Sequence, residues 1–289
     1  MNGYRITHLT QYQYERAVQL RPHTLRLCPR SDGSQWLQSF QLSCSPTPKQ
    51  QTYCLDANGN TCTVLSFTQP LTDLSLQSVS EVNTARTNPF DYLSESWAVE
   101  LPIDYPLSLA AQLGPYLKAP LAGGTAPTVA HLAQALSTEV SGNVGYFLTR
   151  LTQYIPTLCD YQPRQHGAAY SPGVTLEKKA GTCRDFAVLF VAVCRAVGLA
   201  ARFVSGYQEG DLETTEHELH AWAEVYIPGG GWRGFDPTLG LAVADRHIAI
   251  AAAPSPQQAT PVSGTLQIAP GENVHTTLTT DITIEAIAL

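Results

Sequence analysis

The first eighty-odd residues alternate apolar and polar side chains with the period of two that is typical of β-strands. In YRITHLTQYQY this period places on one face the side chains of Tyr4, Ile6, His8, Thr10, Tyr12 and Tyr14. Similar short runs predict further strands over residues 25–28, 36–44, 51–56 and 61–67. Asn58-Gly59 between the last two predicts a β-hairpin with a type I′ turn, which needs positive φ at both central residues. We therefore predict an antiparallel β domain over residues 1–85.

From residue 86 onward the pattern changes to short helices followed by strands. Apolar residues recur at helical spacing over residues 128–140 and 144–158, and again from residue 183. The strands predicted in this part cover residues 201–208, 218–227, 231–236, 265–268 and 276–287. Helices first and strands later indicate an α+β fold, so residues 86–289 form a second part to which we assign the terminal strands.

Composition and charge narrow the classes of function. The 289 residues carry a formal net charge of −7 and show no basic stripe, which argues against a nucleic-acid partner. The longest apolar run, residues 186–193, is far shorter than the roughly 20 residues needed to span a bilayer. The N-terminus lacks the pattern of a secretory signal. These features predict a cytoplasmic protein without a membrane partner, and they leave its oligomeric state open.

Seven cysteines, an odd number, occur without any CxxC pair. This pattern argues against a zinc ribbon or a thioredoxin-type site and favours reduced thiols. A disulfide among the four cysteines of the first part is the alternative if the protein is exported; these are Cys28, Cys44, Cys54 and Cys62.

One cysteine, Cys183, lies at the start of a predicted helix, where a reactive thiolate is favoured. In AGTCRDFAVLFVAVCRAVG, Cys183 begins a helix whose apolar face runs from Phe186 to Val197 and which Gly198 ends. Free N–H groups at a helix start favour the thiolate, the nucleophilic form of cysteine. Cys194 falls mid-helix on the apolar face and is predicted to be a core residue.

A nucleophile needs a base, and the base needs an orienting partner. His220 lies in the strand of residues 218–227, and a Pro-Gly-Gly-Gly turn reverses the chain into the next strand, which ends at Asp236. The hairpin therefore predicts that Asp236 lies beside His220. Cys183, His220 and Asp236 are our candidate catalytic residues.

The blocks GTCRDFAVLF, ARFVSGY, LHAWAEVY and GWRGFDPT, in this order, resemble the transglutaminase-like superfamily, which has a papain-like thiol fold. The preceding YRITHLTQYQY, LRLCPR and DANGN resemble the N-terminal domain of bacterial members. The resemblance implies that Cys183 is the nucleophile, His220 the base and Asp236 the orienting residue, with Asp185 as a support position. A GRDY-like stretch common in bacterial relatives is replaced here by AAAPSPQQATPVSG.

Other residues near this site are assigned by position alone. The backbone N–H of Cys183 is the expected oxyanion donor, and Gln162, Gln165 and Tyr170 are the upstream candidates for the second donor. Trp222 and Trp232 are candidate walls of a cleft, although packing roles are the plainer interpretation. His217 and His220, near Glu213, Glu216 and Glu218, raise the question of a metal, but the local strand pattern favours no metal and no cofactor.

The residues predict a cysteine peptidase or amidase that acts on a peptide or protein through a thioester intermediate. A protein-glutamine transglutaminase would use the same three residues, so this alternative stays open. A non-catalytic peptide-binding module on the same scaffold is a second alternative, and recruitment of substrates by the β domain is a third.

Overall fold

The computed structural model describes residues 1–118, 126–164, 167–210, 218–268 and 273–288. The first part consists of β1 (Asn2–Leu20), β2 (His23–Leu25), β3 (Gln35–Ser45), β4 (Gln50–Leu55), β5 (Thr61–Ser66) and β6 (Leu71–Thr84). The side chains predicted to share one face of β1 lie on its buried side, where Tyr4, Ile6 and His8 are each only 1% exposed. The alternation of side chains along the sequence therefore grouped these residues on one face correctly.

The remaining part begins with helices and continues with strands, so the predicted α+β class is confirmed. Its elements are α1 (Leu107–Leu117), α2 (Pro127–Glu139), α3 (Val144–Leu158), β7 (Asp160–Tyr161), α4 (Pro172–Lys178), β8 (Ala180–Gly181), α5 (Cys183–Ala196), β9 (Ala201–Gln208), β10 (His220–Ile227), β11 (Gly231–Asp236), β12 (Leu241–Ala242), β13 (His247–Ala253), β14 (Val262–Ser263), β15 (Leu266–Gln267) and β16 (Thr276–Ile287). Among the residues described, no helix combines the length and the apolar character that a membrane crossing requires.

Two sheets make up the N-terminal unit. One contains β15, β1, β6 and β3 in that order, with β16 also paired to β1, and the other has the order β14-β2-β5-β4. Apolar side chains from both sheets share one core, among them Leu20, Leu25, Leu65 and Leu76. The unit therefore has the two-layer arrangement that buries one face of each sheet.

The terminal strands correct one of our predictions. β16 pairs with β1 from Gly3↔Ile287 to Tyr14↔Thr276, and β15 pairs with the end of β1. The terminal strands therefore lie in the N-terminal sheets and not with the second part of the chain. The physical reason is that β1 is 19 residues long and has a second edge free for pairing, which strand periodicity alone does not reveal.

The hairpin of β4 and β5 is confirmed, but its predicted turn type is wrong. Leu55 pairs with Thr61, and the loop between them closes through the Gly59 N–H and the Asp56 carbonyl. Gly59 has φ +74°, whereas Asn58 has a negative φ. A type I′ turn needs two positive φ values, so this longer loop follows the pattern of a turn that ends in one left-handed glycine.

The second unit is a five-stranded sheet, β12-β11-β10-β9-β13, against which α5 packs. The predicted apolar face of α5 is confirmed, since Phe186, Leu189, Phe190, Val193 and Cys194 are all buried. The predicted end is also confirmed, because Gly198 adopts a φ of +82° that favours glycine. This helix carries Cys183 at its first residue and holds it over the sheet.

The outer edge of β13 is covered by side chains of the N-terminal unit. The Gln35 side chain accepts from the Ala249 N–H at 2.7 Å and donates to the Ala249 carbonyl at 2.9 Å. The Asn60 side chain makes the same pair of bonds to Ala252, at 2.9 and 3.0 Å. Two amide side chains thus replace a neighbouring strand, so the edge of the second sheet depends on the first unit.

We expect Gln35→Ala to lower the free energy of unfolding by about 1–3 kcal/mol, because the buried N–H of Ala249 loses its acceptor, while the Ala249 carbonyl keeps only the Arg30 N–H. Urea unfolding measures this change. Gln41→Ala is the matched control, since Gln41 lies on the same strand but is exposed. Equal losses in the two variants would contradict the role of Gln35 at the edge of β13.

Candidate active site

Cys183 occupies the first position of α5 and is partly exposed, whereas Cys194 is fully buried. Thr182 precedes the helix, and its backbone N–H and hydroxyl both donate to Asp185 Oδ2, at 2.8 and 3.0 Å. A Cβ on Gly181 would lie 2.8 Å from the Cβ of Asp185, so glycine is needed there. The start of the helix is therefore fixed by its own sequence, and the thiol is held at a defined point.

His220 lies at the start of β10, within hydrogen-bond reach of both other candidate residues. Its Nε2 is 2.6 Å from Asp236 Oδ2 at the end of β11, and the ring also hydrogen-bonds Cys183. Because Nε2 faces Asp236, the nitrogen left for Cys183 is Nδ1. The structure thus brings Cys183, His220 and Asp236 together, as the predicted hairpin required.

The charges of this group reinforce one another. Burial disfavours the charged form of His220, but hydrogen bonds and charge interactions with Asp236 and Cys183 outweigh it and raise the pKa of His220 to about 10. Burial also opposes ionisation of Asp236, yet hydrogen bonds from His220 and His247 hold the pKa of this carboxyl well below its usual range. An imidazolium paired with a carboxylate is therefore the form at neutral pH.

Asp236 is fully buried and has four donors. His220 and His247 both donate to Oδ2, with His247 Nε2 at 3.0 Å, and the backbone N–H groups of Thr238 and Leu239 donate to Oδ1. Our sequence reasoning missed His247, which begins the buried strand β13. The strand HIAIAAA has no alternation because every residue in it is buried, so periodicity did not mark it.

Asp185 binds the segment upstream of the nucleophile. Its Oδ1 accepts from the Tyr170 N–H at 2.6 Å and from Arg164 Nη2 at 3.0 Å. The Arg164 guanidinium in turn stacks on the Tyr170 ring, 3.8 Å from its centre. Burial alone would raise the pKa of Asp185, but the backbone, Arg164 and Thr182 donors lower it. Asp185 thus ties the segment before α4 to the start of α5.

The candidates for an upstream oxyanion donor differ in their surroundings. The Tyr170 N–H is already used by Asp185, and the backbone N–H of Gln162 donates to the Gly181 carbonyl at 2.9 Å. The side chain of Gln162 is exposed and lines a cavity of about 340 Å³ beside Gly181. Gln165 lies outside the described residues. Gln162 therefore presents an exposed side chain beside the strand that leads to Cys183.

The two tryptophans occupy different places. Trp222 is buried next to His220, with ring centres 6.3 Å apart, so it packs behind the site. Trp232 pairs with Tyr226 at the far end of the β10–β11 hairpin and packs edge-on to Tyr116. Trp232 therefore does not wall the cleft, because the hairpin register carries it away from His220.

Tyr161, on β7, is a neighbour of Cys183 that sequence reasoning missed. Burial and nearby charges that include Cys183 and Glu218 raise the pKa of Tyr161 to about 12. Its ring packs edge-on to Phe186 on α5. No local motif marks this residue, because the short parallel pairing of β7 and β8 brings it to the site.

The cluster of histidines and glutamates that raised the question of a metal lies mostly in the segment of residues 211–217. His217, Glu213 and Glu216 lie outside the described residues. Within the described ranges, His220, Asp236 and His247 form a group whose candidate ligand atoms lie within 4.8 Å of one another. Both imidazole Nε2 atoms approach the same carboxylate oxygen at hydrogen-bond distance, so the arrangement is that of a proton-linked cluster.

All seven cysteines are free thiols, so the open possibility of a disulfide among Cys28, Cys44, Cys54 and Cys62 is not realised in the structure. Cys54 and Cys62 lie opposite each other on β4 and β5 without a bond.

Comparison with known proteins gives two matches to family models. The transglutaminase-like superfamily model matches residues 130–237, which contain Cys183, His220 and Asp236. The model of the bacterial transglutaminase-like N-terminal region matches residues 4–83. Together the two models match the strands β1–β6 and the part of the second unit from α2 to the end of β11.

Individual relatives agree with this assignment. An uncharacterized protein of Mycobacterium tuberculosis is 31% identical over 268 residues, which cover 86% of this chain and 82% of the relative. A protein-glutamine gamma-glutamyltransferase of Pseudomonas aeruginosa is 33% identical over 88 residues, 28% of this chain and 13% of that protein. The structure of a candidate cysteine protease from Cytophaga hutchinsonii covers 100% of this chain and 91% of its own, with a TM-score of 0.76 and 20% identity. The chain therefore belongs to the transglutaminase-like superfamily and has its mixed α/β fold.

Proposed function

We propose that this protein is a thiol-dependent acyl-transfer enzyme, a peptidase or amidase that acts on peptides or proteins. Cys183 is the nucleophile, His220 the base and acid, and Asp236 the residue that orients His220. The observation that supports this most strongly is that one imidazole joins a thiol at a helix start to a buried carboxylate. An imidazolium beside a thiol favours the thiolate, which is the attacking form.

The reaction has two halves. The Cys183 thiolate attacks the amide carbonyl carbon and forms a C–S bond, while the backbone N–H at the start of α5 stabilises the developing oxyanion. His220 gives its proton to the amide nitrogen as the C–N bond breaks, which leaves a thioester and a free amine. Water then attacks the thioester, and His220 accepts a proton from it. The C–S bond breaks, so that a carboxylic acid leaves and the Cys183–His220 pair is restored.

Transglutamination is the second candidate, favoured by the match to the protein-glutamine gamma-glutamyltransferase. In that case the leaving group is ammonia from a glutamine side chain, and an amine rather than water attacks the thioester. The steps up to the thioester are the same, so only the products distinguish the two.

The deciding experiment incubates the protein with casein and a fluorescent amine, and follows ammonia, amine incorporation and new amino termini. We expect new termini for a peptidase, ammonia alone for an amidase of side chains, and ammonia with incorporation for a transferase. Cys183→Ala is the control for each product. Absence of all products with wild-type protein, or their persistence in Cys183→Ala, would count against the proposal.

The charge state of the nucleophile gives a separate prediction. An exposed thiol generally loses roughly a hundredfold in thiolate content between pH 8 and pH 6. We expect alkylation of Cys183 by iodoacetamide to slow less than about tenfold over this interval, because the His220 imidazolium is present throughout. Mass spectrometry of the labelled peptides measures the rate, with Cys54 as the exposed reference thiol in the same chain. Parallel slowing of the two cysteines would refute the ion pair.

A further inference from the structure

His247 is a buried histidine whose side chain makes one hydrogen bond within the described chain, to Asp236. Its Nε2 lies 3.0 Å from Asp236 Oδ2, the same oxygen that accepts from His220 at 2.6 Å. Its Nδ1 is buried without a partner among the described residues. Because both imidazoles bind the same oxygen, both of them determine the orientation of the Asp236 carboxylate.

The protonation state of His247 follows from its surroundings. Burial lowers the pKa of His247, and the charges of His220 on β10 and of Arg246 in the turn before β13 lower it further, against the effect of Asp236 on β11. The ring is therefore neutral, with its one proton on Nε2, because the carboxylate there can only accept. His247 thus donates one hydrogen bond and adds no charge to the group.

The ring of His247 is held in place from two sides. Trp222 packs edge-on to it, with ring centres 5.2 Å apart and an interplanar angle of 77°. The strand that carries it is fixed by β9 on one edge and by Gln35 and Asn60 on the other. A donor in such a rigid setting constrains the group that it binds.

We propose that His247 is a positioning residue, whose Nε2–H holds Asp236 Oδ2 in line with His220. This inference depends on the proposed function, because it concerns the same site. Without this donor, His220 is the remaining partner of Oδ2 among the described residues, and the backbone N–H groups hold only Oδ1. Oδ2 then has no second contact that fixes its position relative to the His220 ring. The imidazolium then loses part of its support, and with it the thiolate of Cys183.

The test compares His247→Leu, which removes the donor, with His247→Gln, whose side-chain amide keeps an N–H at similar reach. We expect His247→Leu to lower kcat by about 10–100-fold, with little change in KM. This is the range known for residues that hydrogen-bond and orient the side chains of a metal site, a role comparable to that of His247 toward Asp236. The same variant is expected to slow alkylation of Cys183 at pH 6 by at least tenfold. His247→Gln should recover most of both losses.

His8→Leu is the matched control, since His8 is a buried histidine bonded to Tyr207 and Thr10 instead of Asp236. It is expected to reduce stability without changing the pH dependence of Cys183 alkylation. Equal losses in folded His247→Leu and His247→Gln, or no loss in either, would overturn the inference. If His247→Leu does not fold, the test rests on His247→Gln. A rate of Cys183 alkylation at pH 6 well below that of wild type in this variant would then overturn the inference.

The inference and the proposed function fail in different ways. A wild-type protein that forms no product and alkylates like Cys54 refutes the proposed function itself. An active wild-type protein with an unaffected His247→Leu variant refutes only the role of His247. If His247 acts through Asp236, adding His247→Leu to Asp236→Asn should lower kcat by less than twofold, whereas a further tenfold loss would contradict the inference.

Discussion

Replacement of Asp236 by asparagine is expected to lower kcat by about a thousandfold or more, which is the scale known for loss of the orienting carboxylate in a catalytic triad. The reason is that Asp236 only accepts hydrogen bonds: two imidazoles donate to Oδ2 and two backbone N–H groups donate to Oδ1. In asparagine an NH₂ group replaces one of these two oxygens, and at either position this donor would face other donors. When it faces His220, the ring must present a lone pair at Nε2 and place its proton at Nδ1, toward Cys183. That tautomer cannot take the proton of the thiol.

The measurement is kcat on a peptide amide, together with circular dichroism to show that the variant is folded. Asp160→Asn is the matched control, because Asp160 is exposed on β7 and precedes Tyr161. We expect this control to stay within about twofold of the wild-type kcat. A folded Asp236→Asn protein within tenfold of wild type would mean that Asp236 does not orient the base.

The pH dependence should change in the same variant. In the wild-type protein the pKa of His220 is raised to about 10. The imidazolium of His220 is therefore present below that pH and is lost as the pH rises through it. We therefore expect the rate of Cys183 alkylation to stay that of a thiol paired with the His220 imidazolium up to about pH 9. Removing the charge of Asp236 removes the main cause that raises this pKa, so the transition should move to lower pH. A transition that stays in place would show that Asp236 does not support the imidazolium.

Some of this site could be read from the sequence because its signals are local. The helix that begins at Cys183 follows from its own apolar face and first turn, and the position of Asp236 beside His220 follows from the turn between two strands. These inferences need only the geometry of a single helix or hairpin.

The residues that were missed come from distant parts of the chain. His247 reaches Asp236 through the order of strands in the sheet, in which β13 lies three positions from β11, the strand that ends at Asp236. Gln35 and Asn60 contact β13 across more than 190 residues of sequence. Such pairings depend on tertiary packing, which the period of a strand does not contain. The pairing of β16 with β1 was misassigned for the same reason.

These long-range contacts also bear on the role of the N-terminal unit. β1 lies between β6 and β16, and Tyr4 and Ile6 share a buried cluster with Ile248 on β13. Removal of residues 1–85 would therefore leave β16 without a partner and expose the edge of β13. The first unit forms part of the support for the site, so its contribution is better tested by point variants such as Gln35→Ala than by deletion.

The largest effect on stability is expected for Asp185→Ala, which should lower the free energy of unfolding by about 3–5 kcal/mol. Asp185 is fully buried, and its two oxygens accept from Arg164, from Tyr170 and from the N–H and hydroxyl of Thr182. Alanine removes the side-chain acceptor of the Tyr170 N–H and of the Thr182 N–H and hydroxyl. It also leaves the Arg164 charge, only 24% exposed, with the Ala168 carbonyl in place of a carboxylate. Urea unfolding at pH 7 measures the loss.

The control is another arginine–carboxylate pair that is exposed to solvent. Arg150 and Glu139 lie 2.7 Å apart, but their side chains are 37% and 51% exposed, so Glu139→Ala should cost at most about 1 kcal/mol. Acid gives a second check. The pKa of Asp185 is lowered in the folded protein, so its stabilising effect is complete above the unfolded value of about 4 and is lost as the pH falls below it. The difference in the free energy of unfolding between wild type and Asp185→Ala should therefore shrink below pH 4. A difference that is constant with pH would show that the carboxylate charge does not hold the segment before α4 to the start of α5.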